Sequence, residues 1–212
     1  MNSCYKGGNY DALYARYLKN ASQLVSQIGI GRRMSYVDLC GGTGAVSRAL
    51  ISKGATDITV VDLNRNMLKH APVCAKKIVA DAEEWKPERR YDAVFCRQAV
   101  TYLNLERLER VVDDALKPGG LFVFNLIGAE KSTVASIDSK AYLLGGKKYL
   151  ELTLILFGRA YHLQHSEKDG TDLTSFRMYG KRDIESAFKN WDIRINNAPK
   201  AIYFILKRRN RG

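Results

Sequence analysis

The chain has 212 residues, 46% apolar and 26% charged, which suits one domain over residues 1–212 with its own core and excludes a disordered polyelectrolyte. No apolar run approaches the roughly 20 residues that span a bilayer, and the stretch from Met1 to Gly8 lacks the apolar core of a signal peptide, so the expectation is a cytoplasmic protein with no membrane partner. The net charge of +12 has two readings: affinity for nucleic acid or another anion, or a solvated basic surface with a short cluster at Lys207-Arg208-Arg209-Asn210-Arg211.

The elements follow in chain order. Tyr10, Leu13, Tyr14, Tyr17, Leu18, Leu24, Val25 and Ile28 recur at helical spacing and predict a helix over about 9–28, stopped by Gly29 and Gly31. An apolar strand over about 34–39 ends on Asp38 and runs into Cys40-Gly41-Gly42-Thr43-Gly44. Glycine is required where the chain turns tightly and a ligand approaches the backbone. A helix over 45–53 follows, stopped by Gly54. The second strand, 57–61, ends at Asp62, which lies 20 residues beyond Gly42. That spacing fits a strand-turn-helix-strand unit whose second carboxylate reaches a ribose hydroxyl pair. Asn64 then caps a helix that buries Met67, Leu68 and Ala71 and closes at Pro72.

A third strand, 76–80, ends at Asp81-Ala82, and a fourth, 91–96, ends at Cys96-Arg97. A leucine-patterned helix covers 104–116, and Leu116-Lys117-Pro118-Gly119-Gly120 turns into a fifth strand over 120–126. Lys131 to Leu144 has helical character up to Gly145-Gly146. Tyr149 to His165 and Thr171 to Tyr179 flank a Lys168-Asp169-Gly170 turn and predict an antiparallel hairpin, within an insertion over about 127–180. A last helix, 181–190, precedes closing strands at Trp191–Asn196 and Ala201–Lys207.

Strands alternating with helices predict an α/β fold: a doubly wound, mainly parallel seven-stranded sheet with helices on both faces and the inserted hairpin near the C-terminal third. Ligands of such sheets bind beyond the carboxyl ends of the strands, where Asp38, Asp62, Asp81 and Arg97 all fall. The glycine turn alone does not name the ligand. It can be laid on the dinucleotide pattern, and no Gly-Lys-Ser/Thr follows to make a phosphate loop. Cys4, Cys40, Cys74 and Cys96 form no close sequence pair, so they predict reduced, mostly buried thiols. His70, His162 and His165 have no clustered acidic partners, and no metal is implied.

In order and spacing, the five segments Val37 to Gly44, Ile58 to Asp62, Ile78 to Ala82, Tyr91 to Cys96 and Leu116 to Phe124 resemble the class I, Rossmann-like S-adenosylmethionine-dependent methyltransferases. The resemblance covers roughly residues 35 to 126. The family's loop usually reads Asp-x-Gly-x-Gly-x-Gly, and Cys40 stands at its first glycine.

The resemblance implies a role for each of these residues. Gly42 and Gly44 would admit the amino-acid end and ribose of S-adenosylmethionine, Asp38 would organise the loop or receive the cofactor's amino group, and Asp62, followed by Leu63, would accept from the ribose. By the same resemblance, Asp81 accepts from the adenine amine beside the Ala82 amide, and Tyr14 with Tyr10 folds over as an N-terminal lid. It also implies that the segment from Arg97 to Tyr102 lines the acceptor site. There Arg97 has two readings, an anion-binding group or a salt bridge to a carboxylate such as Asp81. Tyr102 either orients or deprotonates the acceptor or packs in the core, and His162 in the predicted hairpin is either a base or an ordinary strand residue. The fourth strand is followed by neither Asn/Asp-Pro-Pro-Tyr/Phe nor a cysteine nucleophile pair, which shifts weight to a small-molecule acceptor. The alternatives are an RNA methyltransferase using the basic surface, an NAD-dependent oxidoreductase, or a non-catalytic cofactor-binding protein. The assembly expected is a monomer or homodimer.

Overall fold

The computed structural model describes residues 19–127, 134–144, 147–156, 159–166, 179–198 and 201–209, with side chains described over 19–126, 179–197 and 201–209. Helix α1 covers 19–25 of the predicted 9–28, and the rest of that N-terminal stretch before residue 19 lies outside the described residues. Strand β1 is Ser35–Leu39, α2 Ala45–Ser52, β2 Asp57–Asp62, α3 Arg65–Leu68, β3 Lys76–Val79 and β4 Tyr91–Arg97. Then come α4 Leu105–Ala115, β5 Leu116–Ile127, β6 Val134–Leu144, β7 Lys147–Leu156, β8 Arg159–Ser166, α5 Lys181–Ala187, β9 Trp191–Ala198 and β10 Ala201–Arg208.

Seven strands form one sheet in the order β3-β2-β1-β4-β5-β10-β9. The pairs from β3 through β5 are parallel, while β10 is antiparallel to both β5 and β9. β1 is buried at all five positions, as a central parallel strand covered on both faces must be. Its side chains alternate between two cores. Val37 and Leu39 join Leu108, Val112, Phe122, Phe124, Phe188 and Phe204 on one face; Tyr36 joins Leu24, Val46, Leu50, Phe95 and Ile205 on the other. The sheet is therefore wound on both sides, α4 and α5 against one face and α1 and α2 against the other. Asn104 starts α4 by accepting from the Glu106 and Arg107 N–H groups, and Asn64 starts α3 in the same way.

One expectation fails. Residues 134–144 are a strand, β6, where the sequence pattern suggested a helix over 131–144. A Gly-Gly pair marks a tight strand reversal as readily as a helix stop, and here Leu144 stands opposite Lys147 across a two-residue connection. β6, β7 and β8 make a separate antiparallel sheet with β7 in the middle. The insertion is antiparallel as expected, but β7 pairs with β6 and β8; the 168–170 turn and the proposed strand up to Met178 lie outside the described residues. β5 also begins earlier than expected. Tyr91 pairs with Leu116 and Ala93 with Leu121, so the Lys117–Gly120 turn is accommodated as a bulge beside β4.

Phe124 is fully buried, stacked on Phe204 with centroids 4.9 Å apart and beside Phe122 at 4.9 Å. Phe124→Ala should cost about 3–5 kcal/mol in urea denaturation; a loss below about 1 kcal/mol would contradict this packing.

Candidate functional site

The sheet's switch point lies at β1. The chain leaves it toward β2 and β3, then returns on its other side as β4. Loops at the carboxyl ends of β1 and β4 must diverge there, which opens a crevice. The turn after β1 fills its floor. The Gly41 N–H donates to Val61 O (3.1 Å), drawing the turn against the end of β2. A Cβ on Gly41 would lie 2.6 Å from Val60 Cγ1 and 2.7 Å from Asp38 Cγ, so no side chain fits. Gly44, at φ 78°, is the N-cap of α2, and a Cβ there would meet Pro72 Cδ at 2.6 Å. Gly42, at φ 53°, faces more open space: its nearest neighbour would be Met67 Cε at 3.6 Å. Cys40 has φ 54°, a left-handed conformation that costs a non-glycine residue about 1–2 kcal/mol. The backbone thus keeps the shape of the glycine-rich loop although cysteine stands at that position.

Two carboxylates hold the turn. Asp38 Oδ2 accepts from the Ser47 N–H (2.9 Å) and the Ser47 hydroxyl (2.8 Å). Asp62 Oδ2 accepts from the Gly42 N–H (2.8 Å), and Oδ1 from the Asn64 N–H (2.7 Å). Asp62 is therefore not the helix cap; that role belongs to Asn64. An ionised carboxylate offers about four acceptor sites, so Asp62 keeps about two for a ligand. Burial pushes the Asp38 pKa up to about 6, against the pull of the two Ser47 hydrogen bonds and the Arg97 charge. Burial also raises that of Asp62, opposed by the Asn64 and Gly42 N–H groups.

The walls come from neighbouring strands. Leu63 follows Asp62 and is 64% exposed; Val79, the register partner of Asp62, is 46% exposed. Large apolar groups left open beside a carboxylate suit a flat, partly polar ring. Asp81 is exposed, with Oδ1 accepting from the Glu83 N–H (2.8 Å), and Ala82 is buried next to it. Across the crevice, Arg97 Nη1 donates to Gln98 Oε1 (2.7 Å), and the Gln98 N–H donates to Asn125 Oδ1 (3.2 Å) from β5. Gln98 has φ 56° and Asn125 is 5% exposed, so a strained turn is braced from the next strand. Tyr102 lies half-buried in a short 3-10 turn, its pKa pushed up to about 12 by burial.

The structure thus brings Asp38, Gly42, Gly44, Asp62, Leu63, Asp81, Ala82 and Arg97 to one end of the sheet, with Tyr102 in the turn after β4. Tyr10 and Tyr14 lie outside the described residues. His162 is in β8 opposite Thr153, on the separate sheet, with its side chain outside the described set.

Sequence reasoning placed Gln98 only within the Arg97–Tyr102 segment, without its bracing role, and missed Ser47 and Asn125. Ser47 carried a signal, since the first-turn N–H groups of a helix need acceptors and Asp38 lies just upstream; Asn125 carried none. The cysteine expectation needs correcting. Cys74 is exposed, and Cys40 adjoins Cys96 across the strand pairing, where hydrogen bonding and burial push the Cys40 thiol up. Sequence distance hides that neighbourhood; the pairing of Leu39 with Cys96 creates it.

Comparison with known proteins agrees with this geometry. Residues 37–120 match a family model described as a methyltransferase domain. A malonyl-[acyl-carrier protein] O-methyltransferase 2 of Ilyobacter polytropus is 29% identical over 110 residues, a stretch covering 46% of this chain and 42% of that protein. The match therefore spans less than half of that relative's length. S-adenosylmethionine-bound CalS10, an amino pentose methyltransferase from Micromonospora echinaspora, superposes with a TM-score of 0.68 at 14% identity, covering 99% of this chain and 100% of that one. An S-adenosylmethionine-dependent methyltransferase from Clostridium acetobutylicum superposes with a TM-score of 0.64 at 16% identity, covering 96% and 100%. At those identities the superpositions establish the fold.

The raised Asp38 pKa has a consequence for stability. Its folded value, about 6, exceeds the ordinary 3.8, so its stabilising contribution is complete below pH 3.8 and is lost as pH rises through 6. Between pH 5 and 8 the wild type should therefore lose roughly 1–1.5 kcal/mol relative to Asp38→Asn, followed by equilibrium denaturation. A difference that stays flat across that range would mean Asp38 is not buried as described.

Proposed function

We propose that this chain, whose residues 37–120 form a methyltransferase domain of the class I, Rossmann-like S-adenosylmethionine-dependent family, transfers a methyl group to a small-molecule acceptor. The observation that carries the reading is Asp62. Its carboxylate is fixed by the Gly42 and Asn64 N–H groups at the end of β2, beside the exposed Leu63 and the open backbone of Gly42. Such a group pairs with two ribose hydroxyls while Leu63 and Val79 cover an adenine face. Asp81 and the Ala82 amide then meet the adenine edge, and Asp38 at the glycine turn balances the donor's positive charge.

When bound, S-adenosylmethionine supplies an electrophilic methyl on a sulfonium. The chain's own residues have the remaining tasks of positioning and desolvation. Arg97, held by Gln98 Oε1, suits an anionic group on the acceptor or the cofactor carboxylate. Tyr102, with its pKa near 12, stays a neutral phenol at pH 7 and orients an acceptor through a hydrogen bond, leaving His162 as the candidate base. A lid contributed by Tyr14 belongs to the same proposal, as does a cytoplasmic setting, supported by the free thiols of Cys40 and Cys96.

Asp62→Ala should weaken S-adenosylhomocysteine binding by at least about 1 kcal/mol, about fivefold, in calorimetry. Unchanged affinity would refute the ribose assignment. Arg97→Ala should reduce turnover at least about tenfold, the scale of a lost charged hydrogen bond, and leave cofactor affinity within about twofold if its partner is the acceptor. With methyl-tritiated donor and a panel of hydroxyl and amine metabolites beside RNA, label should enter the small molecules; label in RNA alone would contradict this acceptor class.

A further inference from the structure

Among the described residues, exposed basic side chains gather at the end of the sheet opposite the glycine turn. Contacts tie the loops there into one rim. Thr56 Oγ1 donates to Arg32 O (3.1 Å), Arg90 Nη1 to Leu116 O (2.7 Å), and the Arg209 N–H to Asn190 O (3.3 Å). A Cβ on Gly119 would lie 3.8 Å from Lys207 Cε.

Most acids on this rim are already neutralised: Asp57 by Arg89, Glu88 by Lys76, Asp92 by Lys117, Asp113 by Arg208 and Asp192 by Arg209. Arg32, Arg33, Lys53, Lys189 and Lys207 are exposed, and among the described residues none of them has an ion pair. Against these stands Asp114. A groove of about 630 Å³ at the same end is lined by Glu109, Arg110, Asp114, Trp191, Arg208 and Arg209, and its acids and arginines largely offset one another.

We infer that this rim docks the phosphate backbone of a nucleic acid, as an anchor separate from the methyl-transfer pocket. The unpaired cations run from Lys53 beside β2, past Arg32 and Arg33 at β1, to Lys207 on β10 and Lys189 at β9. The six strands from β2 to β9, about 4.8 Å apart, span about 24 Å, enough for roughly seven phosphates at about 3.4 Å each. A protein partner docked through an apolar core would also require exposed apolar side chains, whereas purely anionic protein and lipid surfaces are separate arms of the test. The exposed large apolar side chains among the described residues are Leu63, Val73 and Val79, and none is on this rim. Val73 follows Pro72, which packs against Gly44 at the opposite end. β1 alone separates the two ends by about 16 Å. The phosphates held on the rim are therefore not themselves in the pocket.

The test is fluorescence anisotropy with labelled 20-nucleotide RNA and DNA of mixed sequence, from 50 to 200 mM KCl. A triple variant, Arg32→Gln with Arg33→Gln and Lys53→Gln, should lose at least about tenfold in affinity at low salt. Its slope of log affinity against log salt should be shallower by about 2. Lys69→Gln with Lys19→Gln and Arg182→Gln removes the same charge elsewhere and should change affinity less than about threefold, the scale expected from net charge alone. Both variants should bind S-adenosylhomocysteine like the wild type. Equal losses in the two triples, salt-independent binding, no binding at 50 mM, or tighter binding to polyglutamate or anionic vesicles would each overturn the inference. The single variants Lys53→Gln and Lys207→Gln repeat the comparison if the triple does not fold.

Discussion

Everything at the carboxyl end of this sheet depends on two carboxylates that pull a glycine turn into shape. Asp38 reaches forward to Ser47 in the first turn of α2, and Asp62 reaches across to Gly42. Taking a carboxylate out of water is costly, and the raised pKa of both groups records that cost. Backbone N–H donors left open by the turn and the helix start offset part of it. A bound cation would offset more at Asp38.

The sheet positions these groups through topology rather than local preference. β1 and β2 bring Asp38 and Asp62 to the same level because Val37 pairs with Thr59 and Leu39 with Val61. β4 places Cys96 opposite Leu39, so Arg97 emerges on the far side of the crevice. From β5, Asn125 supports Gln98, which in turn holds Arg97. The walls proposed for cofactor and for acceptor are therefore parts of one element set, which suits chemistry that depends on alignment. Among the described residues, exposed unpaired cations gather at one end of the strands, while Asp38 and the partly buried Asp62 lie at the other beside Arg97.

Much of this was legible in the sequence, for identifiable reasons. Apolar runs ending in Asp38, Asp62, Asp81 and Cys96-Arg97 are the pattern of parallel strands buried on both faces, and the structure has those strands within a residue or two. The Asn64 and Asn104 caps set the starts of α3 and α4. The insertion was harder. Lys131 to Leu144 mixes helix formers with β-branched residues, and only pairing with β7 settles it as β6. In the site, Gly42, Gly44 and Asp62 announced themselves by spacing. Gln98 and Asn125 did not, because their roles arise from a left-handed backbone and a cross-strand hydrogen bond that no local pattern encodes.

The central claim is that the crevice beside Asp62 takes the adenosine end of S-adenosylmethionine and not a nicotinamide dinucleotide. Titration calorimetry of the purified protein with S-adenosylhomocysteine and NAD in parallel tests it most directly. Saturable binding of S-adenosylhomocysteine with no heat from NAD is the expected result. Binding of NAD with none of S-adenosylhomocysteine would contradict the claim and return the glycine turn to the dinucleotide class.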